Sequence, residues 1–130
     1  MTVEAGRHIS LRIRLGADWY SIALDRVHQV VGYAALAGVA DEYFLGWLTL
    51  HGEPVPVFDL TRIVCEEPTP EQFGSRIVVV VAGKESATRY VGLLAAGVTD
   101  TVATGEVEAL PLEMYLPMVY TMIPPVPATV

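Results

Sequence analysis

The chain has 130 residues, of which 52% are hydrophobic, and a mean hydropathy of +0.44. That is one domain's worth of chain with enough apolar side chain to bury a core, which excludes a disordered polymer. Its formal charge of −7, from 15 acidic and 8 basic residues with no basic cluster, argues against nucleic acid or an anionic membrane as a partner.

The first fifteen residues, MTVEAGRHISLRIRL, are charged and lack the apolar stretch of a secretion signal. Within them HISLRIRL (8–15) alternates with period two and predicts a half-buried strand. Gly16-Ala17-Asp18 predicts a turn, with Trp19–Leu24 as the returning strand. VHQVVGY (27–33) is a third strand, and the small and acidic residues 34–42 predict a loop.

Residues 46–60, GWLTLHGEPVPVFDL, read as a hairpin around His51-Gly52. Proline has no N–H for a ladder, so Pro54 and Pro56 predict that the second arm is a sheet edge. Such an edge would resist indiscriminate strand pairing yet remain shaped for a chosen partner. Asp59 is a helix N-cap candidate, because its carboxylate can accept from backbone N–H groups of the next turn. Leu60–Cys65 would then be one or two helical turns.

EEPTPEQFG (66–74) is a polar connector. RIVVVVA (76–82) is a buried strand by length and β-branching, and it is far too short to span a bilayer. Tyr90–Ala96 and Val98–Ala103 are further strands, broken by Gly97. Five of the nine prolines fall in the last twenty residues. There Leu116–Ile123 is expected to be at most one more strand, and residues 124–130 a proline-rich tail.

No catalytic constellation stands out. His8, His28 and His51 lack metal-ligand spacing, and Cys65 has no second cysteine for a disulfide or a CxxC pair. No glycine-rich phosphate loop and no nucleophile elbow occur. A non-enzymatic protein without cofactor or metal, in a reducing cytoplasmic compartment, is the expectation.

The 46–60 segment resembles the signature hairpin of the CheW-like domain family, whose pattern is Gly-x-x-x-x-Arg-Gly-x-x-x-Pro-x-x-Asp-Leu. Gly46, Gly52, Pro56, Asp59 and Leu60 fill it, and His51 stands in the arginine position. YSIALDRVHQVVGY (20–33) is similar to the family's strand–turn–strand, and RIVVVVAGKESATRYVGLLAAGVTDTV (76–102) to its second lobe. Gln29 and Ala96 occupy positions the family fills with acids, and no closing strand and helix are recognisable after Leu110.

The resemblance implies an all-β fold with one short helix near 60–65. It implies two small five-stranded SH3-like barrel lobes sharing an apolar interface, the first about 8–35 with a C-terminal contribution and the second about 44–103. It implies a non-catalytic adaptor at receptor arrays, coupling the cytoplasmic tip of a methyl-accepting chemoreceptor to the regulatory domain of a CheA-type histidine kinase. Val27, Gln29, Gly46, His51 and Ile77 map to receptor-side positions, and Gly92 and Val98 to the neighbouring second-lobe surface. Pro56, Gly52 and Asp59 map to structural roles, and self-association through an open edge is a further expectation. Two other readings compete. One is a barrel holding a small apolar ligand, which would require Trp47 and Tyr90 to line an enclosed cavity; the other is a decoy that binds one partner only, motivated by the unrecognised C-terminal elements.

Overall fold

The computed structural model describes residues 9–70, 74–103 and 107–127. In chain order these form β1 (Ile9–Leu15), β2 (Asp18–Ala23), a 3-10 turn (Leu24–Arg26), β3 (Val27–Gly32), β4 (Phe44–Leu50) and β5 (Glu53–Asp59). After α1 (Leu60–Cys65) come β6 (Arg76–Val81), β7 (Tyr90–Ala95), β8 (Gly97–Ala103), β9 (Glu108–Ala109) and α2 (Leu112–Thr121). His8, Glu71–Phe73 of the connector and residues 128–130 of the tail lie outside the described residues.

The strands build two sheets, ordered β8-β1-β2-β9 and β3-β6-β7-β5-β4. Neither closes on itself, which corrects the expectation of two five-stranded barrels. Alternation along a strand shows that it has a buried face, but carries no information on which strand returns to close a sheet. The first sheet draws on residues 9–23, 97–103 and 108–109, and the second on 27–32, 44–59 and 76–95. After the 3-10 turn β3 leaves its sequence neighbours to pair with β6, and β8 comes back to pair with β1.

The first hairpin is built directly by its residues. Gly16, at φ +64°, opens the turn between Leu15 and Asp18, and Leu11, Ile13 and Leu15 are buried on one face of β1. The Arg14 guanidinium lies on the other side and donates to the carbonyls of Gly16 (3.1 Å) and Ala96 (3.3 Å). The Ala96 N–H donates back to the Arg14 carbonyl at 2.9 Å, so this arginine ties β1 to the corner between β7 and β8.

β6 is built differently. Ile77, Val78, Val79 and Val80 all have no exposed surface. Val78 and Val80 join the larger core with Ile13, Phe58 and Leu93, while Ile77 and Val79 join a second core with Val55, Val57 and Leu94. A strand covered on both faces needs a continuous apolar run in place of alternation, as RIVVVV supplies.

Two expectations about proline fail. β5 lies between β4 and β7, so it is an inner strand and not the edge. Trp47 exchanges both its backbone bonds with Ala37 (2.9 and 2.7 Å), pointing away from β5. Its partner Pro56 therefore sits in a non-hydrogen-bonded pair, as does Pro54 opposite Thr49, and no bond to β4 is lost. On the other side, pairing with β7 starts at Val57, immediately after the second proline. The prolines thus set where the inner ladder begins.

The C-terminal segment is the second correction. Leu116–Thr121 belongs to helix α2, not to a strand, and Leu112, Leu116 and Val119 recur at helical spacing to bury themselves in the larger core. β9 pairs in parallel with β2 through Tyr20↔Glu108 and Ser21↔Ala109. A helix is therefore present after Leu110, and the two-residue strand β9 lies just before it. Pro117 disguised the helix: it sits inside α2, where proline is read from sequence as a breaker.

Candidate docking surface

The β4–β5 hairpin turns through His51 (φ 52°) and Gly52 (φ +81°), between the Leu50↔Glu53 pair. Two left-handed residues in sequence make the tight turn whose twist matches the flanking strands. Gly52 adopts this geometry freely, whereas His51 is held in it by the hairpin. The imidazole is exposed at this corner, at the position the signature gives to arginine.

Gly46 has a different reason to be glycine. At φ +137° a Cβ there would meet Leu36 Cβ at 2.7 Å and the Ala37 carbonyl at 2.8 Å. The residue lets the 33–43 loop cross tightly over β4, where Ala37 forms a one-residue bridge to Trp47. Asp41 fixes the loop's far end, its carboxylate accepting from the N–H groups of Tyr43 (2.9 Å) and Phe44 (2.8 Å).

Asp59 is the N-cap of α1 and does more than cap. Its Oδ1 accepts from the Arg62 N–H at 3.2 Å and from the Thr69 hydroxyl at 2.5 Å, and its Oδ2 accepts from the Thr69 N–H at 2.9 Å. The Thr69 hydroxyl also lies 2.6 Å from that of Thr61. This buried node clamps the polar connector onto the helix start. Thr69 left no sequence signal, because its partner is ten residues away in an irregular segment.

The seven positions mapped by resemblance do not form one surface. His51 is exposed, and Val27 and Gln29 are half-buried on β3, an outer strand of its sheet. Val98 is half-buried on β8, in the other sheet, against the larger core. Ile77 and Gly92 are enclosed in the second core, where a Cβ on Gly92 would meet Ile77 Cγ2 at 2.9 Å and Val57 Cγ2 at 3.0 Å. Gly46 is buried as well. These three shape the sheet from within and present no side chain to a partner.

Beside Gln29, the His28 ring stacks on Tyr90 with centroids 4.3 Å apart, and the Arg89 guanidinium lies 5.4 Å from the Tyr90 ring centroid. Trp47 is buried and meets Phe44 edge to face at 5.7 Å.

Among the described residues no three His, Cys, Asp or Glu side chains gather as a metal site, and no helix is long and apolar enough to cross a membrane. The Cys65 thiol donates to the Leu15 carbonyl at 3.7 Å. Burial, reinforced by Asp18 and Glu67, pushes that thiol's pKa up, opposite to what an activated nucleophile needs.

The family model of the CheW-like domain matches residues 10–114. Among solved structures the chain is similar to the scaffolding protein TtCheW from Thermoanaerobacter tengcongensis, with a TM-score of 0.64 and 22% sequence identity. That likeness covers 77% of this chain and 64% of the other, so the chain spans less than two thirds of its relative's length, and it speaks to the fold alone. No curated protein matches the sequence.

Proposed function

We propose that this chain, which belongs to the CheW-like domain family, is a non-catalytic adaptor that couples the cytoplasmic tips of chemoreceptors to the regulatory domain of a CheA-type histidine kinase. Its place would be the cytoplasmic face of a receptor array. One observation carries the reading: the signature hairpin is intact in its architecture, with Gly46 admitting the crossing loop, His51-Gly52 making the corner and Asp59 clamping the polar connector to the start of α1. Val27 and Gln29, on β3 at the opposite edge of the same sheet, would be a receptor contact separate from the hairpin corner.

The test is binding of a purified receptor-tip fragment, and separately of the kinase regulatory domain, to wild type and to the charge variants His51→Arg and His51→Glu. Both partners should bind wild type, and the two variants should change receptor affinity in opposite directions while leaving the fold intact. Failure of either partner to bind would end the coupling role. Equal affinities for the two variants would remove the corner from the receptor interface.

A further inference from the structure

One end of the five-stranded sheet gathers groups that stand far apart in the chain. β3 starts there, β6 finishes there at Val81, and β7 starts there at Tyr90. The parallel pairing of β5 with β7, Val57↔Gly92, carried back along both strands sets Val55 beside Tyr90. The His51-Gly52 corner therefore projects from the same end as the turn between β6 and β7.

Three of these groups are built onto one another. The exposed His28 ring stacks on Tyr90 with its plane 22° from parallel. It reaches across because β3 bulges: its register with β6 passes from Val27↔Val80 to Gln29↔Val79 and leaves His28 without an opposite residue. Arg89, exposed at the end of the β6–β7 turn, holds its guanidinium over the same Tyr90 ring.

That guanidinium is uncommitted. In a chain of net charge −7, Arg89 forms no ion pair and no side-chain hydrogen bond among the described residues. Glu85, in the same turn, points elsewhere: its Oε1 lies 3.2 Å from where a Gly83 Cβ would stand, close to the Tyr120 hydroxyl. Asp25 and Glu53, on neighbouring elements, are beyond ion-pair distance of Arg89. Arg26, which reaches the Val81 carbonyl, is already paired with Glu113. Attraction to the ring narrows the freedom of Arg89 before any partner arrives, yet leaves its N–H donors unoccupied. A fork of that kind selects an oxyanion, which on an unmodified protein partner is a carboxylate.

We infer that the His28–Tyr90–Arg89 tier is a specificity element of the receptor-facing surface. Arg89 takes an aspartate or glutamate of the receptor tip, and His28 acts as a positioning residue that steadies the Tyr90 ring. The inference rests on the receptor contact proposed above and names its chemistry at a place between the His51 corner and Gln29.

The experiment measures binding of the receptor-tip fragment, and separately of the kinase regulatory domain, to full-length wild type and to variants at the exposed Arg89 and His28. The receptor titrations are repeated with tip fragments in which each Asp or Glu is replaced in turn by Asn or Gln. Arg89→Gln should weaken receptor binding about tenfold, and Arg89→Lys, which keeps the charge but not the fork, about threefold. His28→Ala should cost about threefold, and His28→Phe, which restores a stacking ring, should recover it. One carboxylate replacement should weaken wild type about tenfold and leave Arg89→Gln no weaker than before. Kinase binding should not move. Unchanged receptor affinity in Arg89→Gln, losses that add for every tip carboxylate, a His28→Phe variant as weak as His28→Ala, or a loss confined to the kinase domain would each overturn the inference and leave the adaptor reading standing. Absence of receptor binding by wild type would overturn both.

Discussion

The two sheets bury themselves by different means. The β8-β1-β2-β9 sheet puts Leu11, Ile13 and Leu15 on one face, carries Arg12 and Arg14 on the other, and depends on α2 to help cover its apolar side. The β3-β6-β7-β5-β4 sheet is apolar on both faces, with separate cores on each side of β6. The first is a hairpin that acquires its lid late in the chain; the second is an interior in itself. That difference teaches where this protein should be fragile and where it can tolerate a changing surface.

The largest expected effect is at the place both regions share. Phe58 is fully buried in the larger core and meets Phe44 edge to face at 5.5 Å. Phe58→Ala should cost about 3–5 kcal/mol, enough to unfold most of a marginally stable domain. A denaturation midpoint close to wild type would show that the two regions do not share a core there.

A matched pair of truncations sharpens the contrast. Leu116→Ala and Ile77→Ala each remove a fully buried aliphatic side chain, at about 2–5 kcal/mol. They should differ in pattern. Leu116→Ala should raise amide exchange in β1 and β2 well before β6 and β7, whereas Ile77→Ala should lower protection throughout. Identical exchange patterns would mean that the sheets open as one unit.

Asp59→Ala breaks the clamp between them in sequence. It removes the cap and leaves the Thr69 N–H, the Thr69 hydroxyl and the Arg62 N–H without their shared acceptor. The expected loss is about 1–3 kcal/mol, above that of an ordinary exposed cap. A loss confined to a few tenths would show that the connector is held by other means.

The smallest effect lies at Cys65, where α1 touches the end of β1. Burial raises the folded thiol's pKa, so with rising pH the unfolded chain loses this proton first. The contribution is intact below the unfolded thiol's pKa and is lost as pH climbs through the folded one. Tyr20, raised by burial and then by Cys65 and Asp18, acts in the same direction. Cys65→Ala should therefore melt with a shallower alkaline decline than wild type; superimposable pH profiles would show that the thiol is as accessible folded as unfolded.

Short-range chemistry was legible in the sequence: the period-two strands, the His51-Gly52 corner, the buried valine run and the Asp59 cap all rest on residues close together in the chain. Gly46 was legible as a motif position, but its reason was not, since the atoms that exclude a Cβ come from Leu36 and Ala37 in a loop without regular pattern. The partner-facing set was the least legible, because exposure depends on what packs above a residue; Ile77 and Gly92 share strands with half-buried neighbours yet lie inside a core.

By itself, then, the sequence determined the order of the strands, the turn and cap chemistry between them and the family to which the hairpin belongs. Tertiary structure alone decided which sheet each strand joins, and that Pro54 and Pro56 sit on an inner strand just before its ladder to β7 begins. It also decided that the proline-bearing C-terminal segment is a helix. The physical reason is common to all three: strand pairing and helix docking are settled by apolar surfaces distant in the chain, and α2 tolerates Pro117 because Leu112, Leu116 and Val119 have a core to enter.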